Sequence, residues 1–241
     1  MIEIRDLRLR YFRKPVLKGV TFTVEKGQIT CLAGLNGAGK STVLKAIMGL
    51  VPLDGGSIRI DGTETALHLT GNRGDLNRFR VHHVSYIPDR LPMPPSMKLW
   101  EALRFMDEFY PGMWNASKAK EMMAFFGLGE RERISDLSRG NAAKFNLVLG
   151  LALETPYVLM DEPFSGIDLF SREAIAEVFS NSWLEDRGVL ITTHEIQEVE
   201  HLIDKVVMLK DGVVAMSFDS EEMRLAENKS IIDVMREVYR P

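Results

Sequence analysis

Residues 34–41 have the sequence Gly-Leu-Asn-Gly-Ala-Gly-Lys-Ser, and this stretch decides the fold of the chain. It satisfies the pattern G-x-x-x-x-G-K-[ST], in which glycines allow backbone N–H groups to turn inward around a phosphate. The mostly apolar run Gln28 to Ala33 precedes it and predicts a buried strand. Apolar residues at helical spacing follow from Lys40 to Leu50, so the positive end of a helix faces the anion. The sequence therefore predicts a strand, a loop and a helix that bind the phosphates of a nucleotide.

The side chains of this loop indicate the chemistry. Lys40 supplies a positive charge for the β- and γ-phosphates, and the hydroxyl of Ser41 is a hard oxygen ligand for Mg²⁺. A glycine-rich turn that matches the pattern by chance is the alternative, but it does not explain the strand before the loop and the helix after it. The predicted nucleotide-binding residues of the loop are Asn36, Gly37, Ala38, Gly39, Lys40, Ser41 and Thr42.

Two adjacent carboxylates follow a second apolar run. The run extends from Tyr157 to Met160, and Asp161 and Glu162 come directly after it. Ligand sites in open α/β sheets lie at the carboxyl ends of strands. There Asp161 can hold Mg²⁺, usually through water, while Glu162 can orient and polarise an attacking water molecule. A charged turn after a core strand is the alternative, and the phosphate-binding loop upstream weighs against it.

The ordered set of motifs resembles the ATP-binding-cassette (ABC) ATPases, the nucleotide-binding subunits of ABC transporters. The matching segments are an adenine-stacking aromatic (Tyr11), Walker A (residues 34–41), the Q-loop (Val84 to Asp89), the signature LSGGQ (Leu137 to Asn141), Walker B (Tyr157 to Glu162), the D-loop (Ser165 to Asp168) and the switch region (Ile191 to Glu195). A phosphate-binding loop alone suggests many kinds of NTPase. The whole set in the family's order makes a chance resemblance very improbable.

This resemblance implies ATP and Mg²⁺ as ligands and assigns roles to the matching residues. The implied catalytic residues are Glu162, His194 and Lys40. Outside the loop, the implied ATP-binding residues are Tyr11, Ser138, Gly140 and Asp168, and the implied metal-site residues are Ser41, Asp89 and Asp161. The family also implies a head-to-tail dimer, in which the helix end at Ser138 addresses the γ-phosphate bound by the second nucleotide-binding subunit.

Three of these assignments have plain structural alternatives. Ser138 precedes a helical run, so it can be an N-cap without any ligand. His194 ends a strand, where a histidine in isolation is more often structural than catalytic. Tyr11 can equally be a half-buried strand aromatic.

The sequence departs from the family pattern at two motifs. In the signature, Arg139 replaces the central glycine and Asn141 replaces the glutamine, whereas Ser138 and Gly140 are kept. At the Q-loop, Asp89 stands in the place of the usual glutamine, and its carboxylate still offers a hard oxygen to Mg²⁺. Both departures resemble those of small bacterial exporter ATPases.

The predicted fold class is α/β, with a P-loop NTPase (RecA-like) core, an antiparallel β subdomain and an inserted helical subdomain. The first 24 residues alternate in hydropathy and predict antiparallel strands. We expect residues 1–241 to form a single nucleotide-binding domain, with a helical insert over about 90–155 and a helical tail over 220–241. Val206 to Ser217 predicts a terminal hairpin around Asp211-Gly212.

Composition limits the function further. The chain has 30 basic and 34 acidic residues among its 241, so no global basic field favours nucleic acid as a partner. Its single cysteine, Cys31, excludes an intrachain disulfide and fits a reducing compartment. No stretch is long and apolar enough to span a membrane, so we expect any pore to belong to separate permease subunits. The expected location is cytoplasmic, peripheral on the inner face of the cell membrane.

Three functional classes follow. The favoured one is the ATPase subunit of a bacterial exporter of drugs, peptides or other amphiphiles, because Met97 to Phe105 and Phe109 to Trp114 resemble ATPases of two-component exporters. A generic amphipathic helix with exposed aromatics is the alternative explanation of those segments. The second class is a soluble ABC ATPase of translation or DNA repair. The third is a weakly hydrolysing, nucleotide-dependent interaction module, which the altered signature leaves open.

Overall fold

The computed structural model describes residues 1–65, 73–194, 196 and 199–239. In that part of the chain the β-strands are β1 (Ile2–Tyr11), β2 (Lys14–Val24), β3 (Ile29–Gly34), β4 (Gly55–Ile60), β5 (Thr63–Glu64), β6 (Val84–Ile87), β7 (Tyr157–Asp161), β8 (Gly188–Thr193), β9 (Lys205–Lys210) and β10 (Val213–Asp219). The α-helices are α1 (Lys40–Ile47), α2 (Arg73–His83), α3 (Leu99–Phe109), α4 (Ala116–Phe125), α5 (Arg139–Leu151), α6 (Leu169–Phe179), α7 (Ser220–Glu227) and α8 (Ile231–Tyr239). Among these described helices, each is too short or too polar to cross a lipid bilayer.

Six strands form the sheet that positions the site, in the order β10-β9-β3-β8-β7-β6. The strands from β9 to β6 pair in parallel, and β10 pairs antiparallel with β9. Parallel strands are usually covered on both faces, which explains why β3, β7 and β8 are short apolar runs. Because parallel strands end at the same edge, the loops after β3, β6, β7 and β8 lie side by side. The predicted P-loop NTPase core is confirmed.

The second sheet is antiparallel, with the order β2-β1-β4-β5, as the alternating N-terminal segment predicts. Its buried side chains lie on one face because successive residues of a strand point to opposite sides. One apolar cluster joins Ile4 and Val20 of this sheet to Leu44 of α1 and Leu159 of β7. Helix α1 therefore packs between the two sheets, which places its N-terminus at the edge where the parallel strands end.

Helices α3, α4 and α5 lie between β6 and β7 in the chain. Helix α3 has the bounds predicted from apolar spacing, whereas α4 and α5 begin two or three residues earlier than predicted. In both cases a side chain caps the helix: Asn115 Oδ1 accepts from Lys118 N at 2.9 Å, and Ser138 Oγ accepts from Asn141 N at 3.2 Å. A second apolar cluster joins these helices to the other face of the central sheet.

Three helical features differ from the sequence prediction. Helix α2 was not predicted, because its sequence is rich in Arg and His and has little apolar periodicity. Helix α6 was also missed, although Asp168 accepts from Ser171 N at 3.0 Å and caps it. The predicted helical tail is divided into two helices, α7 and α8, because Asn228 between them adopts a left-handed conformation with φ 51°.

A buried arginine fastens the end of α5 to the start of β8. Arg187 is 7% exposed, and its guanidinium donates to the carbonyl oxygens of Leu151, Leu153 and Thr155 at 3.1, 2.9 and 2.8 Å. Burial lowers the pKa of Arg187 to about 10, which still leaves the side chain protonated at neutral pH. The cation thereby satisfies carbonyl groups that the helix end leaves without partners.

We expect Arg187→Leu to lower the free energy of unfolding by about 3 kcal/mol, because the substitution leaves buried carbonyl groups without donors. Urea denaturation followed by circular dichroism measures this loss. The matched control is Arg104→Ala, which removes an exposed ion pair with Glu108 in α3 and is expected to cost less than about 1 kcal/mol. Equal losses in the two variants would contradict this role of Arg187.

Candidate active site

The loop after β3 is shaped by glycines in left-handed conformations. Gly37 and Gly39 have φ values of 83° and 108°, which other residues rarely adopt. A Cβ atom on Gly39 would also lie 2.9 Å from Leu17 Cδ2. This backbone brings Lys40 to the first position of α1, where its side chain is only 6% exposed. Lys40 Nζ donates to Gly34 O at 2.8 Å, so the lysine closes the loop on itself.

The Asp161 carboxylate at the end of β7 is 3% exposed and receives three hydroxyl groups. Ser41 Oγ and Thr192 Oγ1 donate to its Oδ1 atom at 2.9 and 2.8 Å. Tyr86 OH donates to Oδ2 at 3.3 Å, and burial followed by the Asp161 charge raises the pKa of Tyr86, which keeps this hydroxyl protonated. Ser41 and Asp161, predicted to share a metal, are therefore in direct contact.

The donor set around Asp161 fits Mg²⁺. A serine hydroxyl and a carboxylate are hard oxygen ligands, and Mg²⁺ commonly takes only one or two protein ligands together with phosphate oxygens and water. Within the described residues, no group of three or more His, Cys, Asp or Glu side chains could hold a metal ion by itself. Ser41 and Asp161 leave the other coordination positions of Mg²⁺ to phosphate oxygens and water, so this donor pair suits a cation that arrives with a nucleotide.

Glu162 lies between two other predicted catalytic residues. Its backbone has φ 50°, which is uncommon for a residue other than glycine, and its N–H donates to Thr192 Oγ1 at 3.0 Å. The turn directs the carboxylate so that Oε1 lies 3.1 Å from Lys40 Nζ. His194 donates to Oε2 through its backbone N–H at 3.2 Å and through Nδ1 at 2.8 Å. The structure therefore brings Lys40, Glu162 and His194 together. Glu195, the last residue of the predicted switch region, lies outside the described residues.

Asp89 lines the same cleft but does not touch the Ser41–Asp161 pair. The cleft has a volume of about 830 Å³, and its walls include Ser41, Asp161, Glu162 and His194. The exposed carboxylate of Asp89 lies 3.9 Å from Arg90 Nε. Asp89 therefore shares the cleft with the proposed metal-site residues, and its predicted metal role stays a prediction.

A second cleft, of about 910 Å³, lies on the other side of the phosphate-binding loop. Its walls include Tyr11, the segment from Asn36 to Ala38, and Tyr239. Tyr11 is 42% exposed, which is consistent with a surface for stacking on a base. The sequence predicted no role for Tyr239, the last of these wall residues. Its hydroxyl lies 3.2 Å from both Ala33 O and Leu209 O, which share its one proton, and so fastens α8 beneath the loop.

The signature and D-loop residues pack on each other in the same chain. A Cβ atom on Gly140 would lie 2.1 Å from Ser171 Oγ and 2.9 Å from Asp168 Oδ2, so this glycine permits the close approach of α5 and α6. Hydrogen bonds from Ser171 lower the pKa of Asp168 and keep it ionised as the cap of α6. Ser138 is exposed at the start of α5. Within the described part of the chain, the walls of the Asp161 cleft include Arg139 but not Ser138 or Gly140.

The profile of a known family, described as ABC transporter, matches residues 17–165, which is more than half of the chain. The chain belongs to the ABC transporter family. It is an ABC-type ATPase, as the resemblance of its motifs implied. The resemblance of its motifs to this family is therefore not a chance match.

Relatives of this ABC ATPase include transporter subunits from several bacteria. The chain is 29% identical over 225 residues to the ABC transporter ATP-binding protein YtrB of Bacillus subtilis, covering 93% of this chain and 74% of the relative. It is 30% identical over 216 residues to the linearmycin resistance ATP-binding protein LnrL of the same organism, covering 88% and 67%. It is 30% identical over 242 residues to the zinc transport system ATP-binding protein TroB of Treponema pallidum, covering 93% and 86%.

Solved structures agree with this fold. An ATP-binding subunit of an ABC transporter superposes with a TM-score of 0.86 and 28% identity, and each chain is covered completely. The dimeric cassette MJ0796 superposes with a TM-score of 0.78 over 91% of this ABC ATPase and 98% of that chain, and its 22% identity supports the fold alone.

Sequence reasoning missed the hydroxyl groups that surround the acidic pair in this ABC ATPase. Thr192 and Tyr86 lie in the switch region and the Q-loop segment, but neither residue matches a named position of the motifs. Tyrosine and threonine are ordinary strand residues, so composition alone carries no signal for them. The pairing of β6 and β8 on either side of β7 brings them to Asp161.

Proposed function

We propose that this ABC ATPase is the ATP-hydrolysing subunit of a bacterial exporter and couples MgATP-driven dimer closure to separate membrane subunits. The observation that supports the chemistry is the juxtaposition of Lys40, Glu162 and His194 beside the Ser41–Asp161 pair. These groups come from the ends of three adjacent parallel strands. A phosphate bound by the loop would therefore meet a cation, a base and a metal site at once.

Each of these residues has a defined task in hydrolysis. Lys40 exchanges its contact with Glu162 for the phosphate oxygens, which leaves the carboxylate to accept a proton from the attacking water. The two donors of His194 hold the orientation of the Glu162 carboxylate. Ser41 and Asp161 would hold Mg²⁺, which supplies positive charge to the phosphate oxygens.

We expect Glu162→Gln to bind MgATP with unchanged affinity and to lose about 100-fold or more in turnover, because an amide is not a base. Lys40→Ala is expected to weaken nucleotide binding itself, since it removes the buried cation of the loop. Calorimetric titration and a phosphate-release assay separate the two effects. Glu177→Gln, on the exposed side of α6, is the control. Wild-type turnover in Glu162→Gln would refute the role of this carboxylate.

The proposal of a dimer rests on the separation of the signature from the phosphate-binding loop. Ser138 is exposed at the N-terminus of α5 and lies outside the walls of the Asp161 cleft in its own chain. A helix N-terminus of this kind favours an anion. A second copy arranged head to tail would supply its Ser138 and Gly140 to this phosphate, and ATP bound between the copies would stabilise the closed state.

Saturating MgATP is expected to convert Glu162→Gln from monomer to dimer, because nucleotide that is not hydrolysed keeps the two copies together. Multi-angle light scattering measures the mass with and without ATP. The double variant with Lys40→Ala should stay monomeric under the same conditions. A Glu162→Gln protein that binds ATP but keeps the mass of one chain would count against closure driven by nucleotide alone.

An apolar groove between the core and the helical insert supports a membrane partner. This groove, of about 480 Å³, is lined by residues from α3 and α5 and by Leu50, Met93 and Tyr86. On the adjoining face of α3, Phe105 and Phe109 are 42% and 64% exposed and stack on each other. We propose that a segment of the permease subunit contacts this face and so places the chain at the inner surface of the membrane.

Export is proposed from the relatives and from the departures at Arg139 and Asp89. LnrL is named for resistance to linearmycin, whereas TroB, at the same identity, is named for zinc transport. The basic signature residue and the acidic Q-loop residue resemble the small exporter ATPases. Transport of an amphiphilic drug or peptide out of vesicles that carry the cognate permease would test the direction.

Asp89 is proposed to couple the metal site to the permease. We expect Asp89→Asn to retain ATP binding but to lose about 5-fold or more of the permease-stimulated ATPase activity, because this residue lies between the Asp161 cleft and the helical insert. Basal and stimulated rates with the cognate permease measure the effect. Glu177→Gln, on the exposed side of α6 and away from the proposed permease contact, is again the control. Equal stimulation of Asp89→Asn and the parent would identify Asp89 as an ordinary surface residue.

A further inference from the structure

The three hydroxyl groups on Asp161 divide between its two carboxylate oxygens. Ser41 and Thr192 donate to Oδ1, and Tyr86 donates to Oδ2. Among the side chains that the structure describes, Tyr86 is the one hydrogen-bond donor to Oδ2. The terminal torsion of an aspartate is broad by itself, so a carboxylate bonded at both oxygens is more restricted than one bonded at a single oxygen. Tyr86 therefore helps to determine which oxygen faces Ser41.

The strand that carries Tyr86 is held in place by α5 and by Arg187, which also donates to the end of α5. Asn146 Nδ2 of α5 donates to Pro88 O at 2.6 Å, just after the end of β6. A Cβ atom on Gly150 would lie 2.2 Å from Ile87 Cγ1, so α5 packs directly against the strand at this point. Arg187 donates to Ser85 Oγ at 3.3 Å. These contacts fix β6 on both sides of Tyr86 in the chain, and so fix the point from which its side chain reaches Asp161, as a group that orients a neighbouring carboxylate requires.

We propose that Tyr86 is a positioning residue for Mg²⁺: its hydroxyl holds the Asp161 carboxylate with Oδ1 against Ser41 and so raises the affinity of the site for the cation. Groups that hydrogen-bond a metal-binding carboxylate commonly contribute about 10-fold or more to metal affinity. This inference rests on the proposed role of Ser41 and Asp161 as the metal site. It adds a residue that none of the motifs names.

The test compares the effect of Mg²⁺ on ATP affinity in three variants of the full chain. Tyr86→Phe removes the hydroxyl and keeps the ring. Tyr157→Phe is the matched control, because this hydroxyl on the neighbouring strand donates to Asp61 Oδ1 at 2.6 Å, at the other end of β7. Asp161→Asn is the reference for loss of the metal site. Calorimetry measures ATP affinity in EDTA and in excess Mg²⁺, and thermal melting checks the fold.

For Tyr86→Phe we expect the Mg²⁺-dependent gain in ATP affinity to fall about 10-fold while the affinity in EDTA is unchanged. Tyr157→Phe should keep the full gain. If Tyr86→Phe keeps the full Mg²⁺-dependent gain in ATP affinity while Asp161→Asn loses it, the inference is overturned and the proposed metal site stays intact. Equal weakening of ATP binding in EDTA and in Mg²⁺ would make Tyr86 merely structural and would also overturn it. A full gain in Asp161→Asn would overturn both proposals.

Discussion

The site depends on one buried charge, the carboxylate of Asp161. An ionised group that is 3% exposed must be hydrogen-bonded, because the loss of its hydration costs several kcal/mol. Three hydroxyl groups meet this need, and they come from α1, β6 and β8. The start of α1 and the ends of β6 and β8 must therefore lie close to the end of β7, and the parallel order of the central sheet satisfies that condition. The same arrangement of strands that supplies hydrogen bonds to Asp161 also brings Lys40, Glu162 and His194 together.

A second group of charges lies beside it. Glu162 is paired with Lys40 on one side and with His194 on the other, so its carboxylate is oriented without any ligand. The unusual backbone of Glu162 makes this geometry accessible, since its φ of 50° turns the side chain away from the strand direction. Such conformations are found mainly where the surrounding structure holds them in place. Thr192 helps to hold the backbone of Glu162 in this conformation, because its Oγ1 atom accepts a hydrogen bond from the N–H of Glu162.

Helix α5 connects this chemistry to the rest of the molecule. It begins at the signature, its middle donates to Pro88 through Asn146, and its end is fastened by Arg187. Tyr86 and Asn146 line the apolar groove, yet Tyr86 also touches Asp161 and Asn146 also lines the Asp161 cleft. The groove and the cleft are thus separated by the thickness of single side chains. Close packing at Gly150 makes this connection stiff, because it leaves no space between helix and strand.

The sequence by itself determined the phosphate-binding loop, the acidic pair, the P-loop NTPase core and the family, because those features follow from short segments whose residue types match one chemistry. It also predicted the Ser138 cap and the bounds of α3, which are local. It did not predict α2, whose polar sequence lacks periodicity, or the break at Asn228, which depends on one backbone angle. Only the tertiary structure placed Tyr86 on Asp161, Tyr239 beneath the loop, and Gly140 against Ser171. Each of these contacts joins residues far apart in the chain, and the pairing of strands and packing of helices that create them are properties of the whole fold.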